Sequence, residues 1–330
     1  MRTFGWAVAA LVLLLAGAVS GARYLLSPVD ASGSMRVVVI PPRSSAPEIG
    51  GHLAEAGLVR TPAHFVYAAR LRGATRSLRP GEYRLSPAMP LLRIVDTIAR
   101  GDVVLHAVTI PEGFTAEQVV QTLAAAGLAD ASRLREMVRY GAVLFPYDFL
   151  PASSGGSLEG YLFPDTYRLP RSLDERAIVA TFLERFNTLV VPAWRLEGTG
   201  RNLHDIVTMA SMIEREARVP AEQPLIAGVL YNRLRVGWKL EVDATVLYAL
   251  GRHKPVVTFA DLKVDSPYNT YRHAGLPPGP IANPGLGAIR AALHPATTEY
   301  LFYVAREDGS HVFSKTLAEH NAAVRRYRRP

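Results

Sequence analysis

The stretch Leu203-His204-Asp205-Ile206-Val207-Thr208-Met209-Ala210-Ser211-Met212-Ile213-Glu214-Arg215-Glu216-Ala217 limits what this chain can fold into more than any other. Placed at about 100° per residue, it reads as a helix that is apolar almost all the way round. His204, Thr208, Ser211 and Arg215 form one polar arc. Leu203, Ile206, Val207, Ala210, Ala217 and Glu214 share a second face. Met209, Met212, Ile213 and Glu216 share a third, with Asp205 beside them. A helix with so little polar surface is stable only when other elements cover it on several sides. Yet it ends in two glutamates. A carboxylate on a buried helix is costly to ionise, and its pKa rises. A carboxylic acid that stays protonated near neutral pH is what a general acid requires. Helical position alone favours Glu214 as the more deeply buried of the two.

The chain has 330 residues, enough for two or three domains, each with its own core. It contains no cysteine, which excludes a disulfide framework, a cysteine zinc site and a thiol nucleophile. From Thr3 to Ala22 there is no charge, and Trp6 to Val19 is nearly all Ala, Val, Leu and Gly. About twenty apolar residues span a bilayer core, so residues 1–22 are predicted to be a transmembrane anchor. The alternative is a cleaved signal peptide, because Ala16, Ala18, Ser20 and Ala22 offer small-residue cleavage sites. On either reading the rest of the chain is exported. Arg2 and Arg23 flank the run too evenly to orient it. Net charge is +8, and Arg325-Arg326-Tyr327-Arg328-Arg329 supplies half of it. A basic exported chain suits an anionic partner such as a lipid headgroup or an acidic cell-wall polymer. No nucleic-acid-binding motif appears, so nucleic acid is not an expected partner.

Residues 23–35 read as a linker. An internal repeat follows, in which Ile40-Pro41 and Leu53-Ala54-Glu55-Ala56-Gly57-Leu58 recur seventy residues later as Ile110-Pro111 and Leu123-Ala124-Ala125-Ala126-Gly127-Leu128. Each copy opens with an apolar strand-like run, Val37–Ile40 or Ala107–Ile110. Each then carries a capping-box signal, Ser45 to Glu48 or Thr115 to Gln118. Each helix stops at the glycine of a Leu-x-x-x-Gly-Leu ending. A second helix starts behind Thr61 in one copy and Asp130 in the other. The boundaries predicted are a β-α-α module over 36–104, a related module over 105–151, and a last domain over 152–330 that begins at the flexible break Ala152–Ser157. Within that domain, helices are expected over about 174–190 and 222–235. A hairpin is expected where Tyr300–Ala305 and His311–Phe313 flank Asp308-Gly309. Thr316 and Glu319 are expected to cap a final helix.

The segment Met209–Ala217 resembles the signature of the endolytic murein transglycosylases of the MltG (YceG-like) family. So do Val229-Leu230-Tyr231-Asn232-Arg233-Leu234, Leu240-Glu241-Val242-Asp243-Ala244-Thr245-Val246 and Ser266-Pro267-Tyr268-Asn269-Thr270-Tyr271. Gly275–Gly285, His311-Val312-Phe313-Ser314 and His320-Asn321 complete the set, in family order over about 160–330. The anchor and the repeats agree with the family, which treats one of the repeats as LysM-like. The resemblance implies an α+β fold, with the glutamate helix central to the last domain. It implies cleavage of the β-1,4 bond between N-acetylmuramic acid and N-acetylglucosamine, leaving a 1,6-anhydro end. One carboxyl group suffices for that chemistry: it protonates the leaving oxygen, then takes the proton of the sugar's own C6 hydroxyl as that hydroxyl attacks C1. No water is activated, so the second carboxylate of an ordinary glycosidase is dispensable.

In the family the catalytic glutamate is the second of the Glu-x-Glu pair, which is Glu216 here, with Glu214 the other candidate. Glu216 lies by Met209 and Met212, which would line a sugar cleft, whereas Glu214 has the character of a structural acid. Asn269, Tyr271, Asn283, Tyr231, Asn232 and Asp243 are candidate substrate-binding residues. Asp243 is read as holding an arginine or orienting Glu216. The Gly275–Gly285 run, stiffened by prolines, is expected to wall the cleft. His311 and His320 lack metal-ligand spacing and are read as structural, so no metal and no cofactor is expected. Expected partners are peptidoglycan strands and, by resemblance, cell-wall synthases. The expected location is the inner membrane, single-pass, with the catalytic domain on the periplasmic side. Two other readings stay open: a hydrolytic muramidase in which Asp243 or Asp265 activates water, and a non-catalytic glycan-binding scaffold.

Overall fold

The computed structural model describes residues 2–151, 156–197, 200–252, 254 and 256–327, and within the first helix it does not describe the side chains of 2–5, 7–10, 18 and 22. The expected break at 152–157 and the last two tail arginines fall largely or wholly outside these residues. Two compact units form, one from residues 1–106 and 168–173, the other from 107–167 and 174–330.

The first unit holds α1 (Arg2–Leu26), β1 (Arg36–Ile40), α2 (Ala46–Glu55), α3 (Pro62–Leu71), β2 (Gly81–Leu85) and α4 (Leu91–Arg100). β1 and β2 pair antiparallel, with Val38 opposite Tyr83. The alternation of β1 turns Val38 and Ile40 inward, where Ile49, Leu53, Phe65, Leu85, Ile94 and Ile98 close a core of their own. The predicted capping signal at Ser45 is realised, with the Ser45 N–H donating to Glu48 Oε2 at 2.6 Å. The predicted stop is also realised: Gly57 takes φ 66°, and the Leu58 N–H returns to the Leu53 carbonyl at 2.8 Å. The residues predicted to form an anchor fall in α1. Among the described residues, however, no helix is long and apolar enough to cross a membrane.

The second unit begins within β3 (His106–Thr109), after its first residue, and continues with α5 (Ala116–Ala125), α6 (Ala131–Arg139) and the single turn α7 (Gly141–Leu144). Its repeat copy has the same local geometry as the first. Thr115 and Gln118 cap each other reciprocally at 2.8 and 3.3 Å, and Gly127 again takes φ 66° with the Leu128 N–H on the Leu123 carbonyl. The strand that pairs with β3 is β4 (Thr166–Leu169), so this copy closes well past the predicted boundary at 151. Nor do residues 107–151 stand as a module apart from the last domain. The Ala116 N–H donates to buried Glu159 at 2.9 Å, and the Asn283 amide donates to the Phe114 carbonyl at 2.9 Å. The LysM-like character implied by the resemblance is not shown by this fold.

The remaining elements are α8 (Glu175–Leu196), α9 (Leu203–Glu216), α10 (Gln223–Arg235), α11 (Asp243–Ala249), α12 (Leu286–Leu293), β5 (Phe302–Ala305), β6 (His311–Ser314) and α13 (Leu317–Tyr327). As its sequence requires, α9 is buried along Ile206–Ile213 and packs against α10, α11 and α12. Its buried Ser211 hydroxyl donates to the Thr208 carbonyl and accepts the Ile281 N–H at 3.0 Å, which ties the Gly275–Gly285 run to the helix. The predicted hairpin forms: β5 and β6 pair antiparallel with Ala305 opposite His311, and Gly309 takes φ 83° in the turn. Mixed helices and short two-stranded sheets make the fold α+β.

Candidate active site

The last turn of α9 emerges from the core and delivers Glu216 into a pocket of about 160 Å³, lined also by Arg233, Asp243, Tyr271, Tyr303 and His320. Three elements converge there. β5 contributes Tyr303, whose hydroxyl donates to Glu216 Oε2 at 3.0 Å. The first turn of α11 contributes Asp243 and the Ala244 N–H, which also bonds the Glu216 carboxylate. The loop before the proline-rich run contributes Tyr271, whose hydroxyl donates to Asp243 Oδ1 at 2.6 Å. Burial is the largest influence on Glu216 and raises it to about 7. The Tyr303 hydrogen bond pulls it down, and the Asp243 charge pushes it up. A carboxyl poised near neutral pH can give a proton and take one back, with neither form strongly disfavoured.

The hairpin fixes Tyr303. The His311 imidazole on β6 is buried and meets Glu222 Oε2 at 2.7 Å, while its backbone N–H donates to Glu222 Oε1 at 3.1 Å. The Tyr303 ring stands edge-on to that imidazole at 5.5 Å. Burial and the adjacent Glu216 charge raise the Tyr303 hydroxyl well above its ordinary value, so it stays a neutral donor. Arg233 is buried too, giving its guanidinium to the Leu301 carbonyl at 2.7 Å and the Leu240 carbonyl at 2.9 Å. These bonds pin the strand and loop on either side of the pocket.

Glu214 points elsewhere. Its carboxyl accepts the Gly285 N–H at 3.1 Å. Burial, with Glu112 nearby, raises it above the usual carboxylate range. The ranking expected from helical position is therefore corrected: the protein encloses Glu216 more fully than Glu214. A wheel records only the helix's own residues, whereas Glu216 is enclosed by β5 and α11.

Of the predicted binding residues, Asp243 and Tyr271 join Glu216 in its pocket. The others make hydrogen bonds within the protein. The buried Asn269 amide donates to the Leu262 and Val264 carbonyls, both at 2.9 Å. Buried Asn283 accepts the Leu162 N–H at 2.9 Å and donates to Phe114. The Asn232 amide donates to Thr298 and Tyr300 at 2.8 and 2.9 Å. The Tyr231 hydroxyl donates to Ala292 at 3.0 Å, with the Arg201 guanidinium over its ring. Each has its polar atoms engaged inside the protein, mostly by main chain, with the Asn232 oxygen also accepting from Arg235 at 2.9 Å, which leaves little for a ligand. Asp265 is largely exposed, paired with Arg272 and absent from the pocket lining. His320 lines the pocket with its ring stacked on Phe302.

Sequence reasoning missed Tyr303, Arg233 and Glu159. Tyr303 lies on a strand that was predicted, one residue from the buried Phe302, but nothing in the sequence indicates which distant group it meets. Glu159 is fully enclosed. Burial raises it to about 8, and it accepts the Ala116 N–H and the Tyr248 hydroxyl, the latter at 3.3 Å. It lines a second cavity, of about 380 Å³, which also borders Arg215 and Ala244.

Residues 38–326 match the YceG-like family. An endolytic murein transglycosylase of Bacillus subtilis is 34% identical over 331 residues, covering 96% of this chain and 91% of that protein. An endolytic murein transglycosylase of Streptococcus pneumoniae is 31% identical over 350 residues, and the match spans 95% of this chain but 63% of that longer protein. Among solved structures, a yceG-like protein of Listeria monocytogenes superposes with a TM-score of 0.57 at 35% identity, covering 88% of this chain and all of that one.

Proposed function

The chain belongs to the YceG-like family, and from that premise we propose that it is a lytic transglycosylase that cuts murein strands internally, with Glu216 as its catalytic acid and base. The observation that carries the assignment is the enclosed Glu216 carboxyl, raised to about 7 in a pocket it shares with Tyr303, Asp243 and Tyr271. Protonated Glu216 gives its proton to the oxygen leaving C1 of N-acetylmuramic acid. The C6 hydroxyl of the same sugar attacks C1 and surrenders its proton to the Glu216 carboxylate. The glycosidic bond breaks, the 1,6-anhydro bond forms, the carboxyl returns to its starting state, and no water is consumed. The Tyr303 and Ala244 hydrogen bonds stabilise the carboxylate between the two transfers.

The anionic Asp243 in the same pocket favours a cationic sugar centre and is also the observation behind a second reading, hydrolysis with Asp243 activating water. Its Oδ1 is already engaged by Tyr271, which supports the single-carboxyl route. The extracytoplasmic location belongs to the same proposal, as does anchoring through residues 1–22 in the inner membrane with 36–104 as a LysM-like spacer. Its support is the uncharged run Thr3–Ala22, and its test is whether removing residues 1–26 moves the protein from the membrane to the soluble fraction. Association with cell-wall synthases rests on resemblance alone.

Digestion of uncrosslinked murein strands by three proteins tests the catalytic assignment. Glu216→Gln is expected to lose about 10²–10⁴-fold in kcat while staying folded. Glu214→Gln keeps an acceptor oxygen for Gly285 and is expected to stay within a few-fold of wild type. Full activity of the Glu216→Gln variant overturns the assignment.

A further inference from the structure

We propose that the larger cavity beside α9 is a second binding site, which takes the carboxylate-bearing peptide stem carried on the muramic acid sugar, with the Arg252 and Arg215 side chains as its anion-binding groups. The proposal rests on the murein-cleaving reading above. Its geometric basis is the arrangement of two cavities around two pairs of consecutive residues. Glu216 and Asp243 line the smaller pocket, and Arg215 and Ala244 line the larger one. Neighbouring Cα atoms lie about 3.8 Å apart, so the two cavities flank the same stretches of backbone, at the end of α9 and the start of α11. On this proposal the lactyl substituent at C3 of a sugar held at Glu216 leads the stem past the end of α9 into the larger cavity.

The charges there fit an anion. Glu117 at the rim is neutralised by Arg135, which holds it in a forked pair at 2.7 and 2.8 Å. Glu159 is pushed by burial to about 8, which favours its neutral form, and its oxygens are taken by Ala116, Tyr248 and Asn283. The net charge facing the cavity therefore comes from Arg215 and Arg252. Arg215 has one hydrogen bond, to the Gly113 carbonyl at 3.2 Å. Arg252 is exposed at the rim, and its guanidinium has no hydrogen-bond or ion-pair partner among the described residues. At about 380 Å³ the cavity has room for a short peptide segment, and its Tyr248 and Gln121 side chains add polar groups and an aromatic face. A strand stripped of its stems keeps one short anion per muramic acid, the lactyl carboxylate on C3, held against the sugar. A stem replaces it with several carboxylates carried further out, within reach of two guanidinium groups, and a guanidinium and a carboxylate match in charge and in fork geometry.

The test compares uncrosslinked strands that carry stems with the same strands stripped of stems by an amidase, using the full chain. Wild type is expected to cleave stem-bearing strands with a kcat/KM roughly tenfold higher. Arg252→Gln is expected to lose most of that advantage through KM and to match wild type on stripped strands. Equal cleavage of both substrates by wild type, or an equal loss on both in the variant, overturns the proposal. A binding measurement separates this failure from a failure of the catalytic reading. A synthetic stem tripeptide with free carboxylates, titrated into the full chain, is expected to bind and to weaken roughly tenfold in Arg252→Gln. Its amidated counterpart is expected to bind no better to wild type than to the variant. No binding of the free-carboxylate peptide overturns the proposal, whether or not strands are cut.

Discussion

Tyr303→Phe removes one oxygen and one hydrogen bond from the pocket and leaves the ring in place. In wild type that bond, 3.0 Å long, lowers the affinity of Glu216 for its proton against the opposing effects of burial and Asp243. A hydrogen bond to a charged group contributes about 1.5–3 kcal/mol. At about 1.36 kcal/mol per pKa unit, its loss is expected to raise Glu216 from about 7 by about one to two units. The sign follows from the role: the acid must be protonated to start the reaction, so kcat falls as pH rises through its pKa. The alkaline limb of the kcat profile should therefore move up by about one to two units in the variant. The plateau should also drop, because the carboxylate formed midway loses a donor. The assay is initial rate of strand cleavage across the pH range at saturating substrate, with the variant's fold checked by circular dichroism. An alkaline limb that stays where wild type has it, or moves to lower pH, refutes the reasoning.

Further outcomes follow from the same contacts. A carboxyl whose pKa is raised in the folded state leaves the protein most stable below the unfolded value of about 4.5, and that stability is lost as pH climbs through about 7. Glu216→Gln does not titrate, so it should match wild type in acid and exceed it by at most about 3 kcal/mol by about pH 8. Scanning calorimetry at both pH values reads this as a Tm gap of roughly 6–12 °C that opens only at the higher one. Asn269→Ala abandons two buried carbonyls and should cost about 2–4 kcal/mol in denaturant unfolding, with KM unchanged at temperatures where the protein is folded. If KM rises instead, the side chain is a ligand and not a brace. Leu53→Ala opens a void in the first unit's own core and should destabilise it by about 2–5 kcal/mol, measured by urea unfolding. Strand cleavage at low temperature should be unaffected.

Much of the fold is legible where a short-range rule governs it. The twin caps at Ser45 and Thr115, and the stops at Gly57 and Gly127, follow from side chains a few residues apart. The hairpin follows from Asp308-Gly309 between two alternating runs. The burial of α9 is legible because its own periodicity leaves little polar face. What could not be read depended on partners far along the chain. Glu214 looked the deeper acid because the wheel sets it among Leu203, Val207 and Ala210, while Tyr303 and Ala244, which enclose Glu216, lie tens of residues downstream. The strand β4 escaped notice as the partner of β3 because a longer insertion separates it from its helices than in the first copy. Asn269, Asn283 and Asn232 looked like sugar ligands because an amide that braces a loop and one that binds a substrate have the same local sequence. Only the main-chain carbonyls around them distinguish the two.

Strand cleavage in heavy-oxygen water, with the masses of the new chain ends read out, tests the central claim most directly. If the enclosed Glu216 carboxyl returns its proton through the sugar's own C6 hydroxyl, every new muramic end is lighter than a reducing end by one water, carries no heavy oxygen, and vanishes in Glu216→Gln. Heavy-oxygen reducing ends from the wild-type protein would contradict the account.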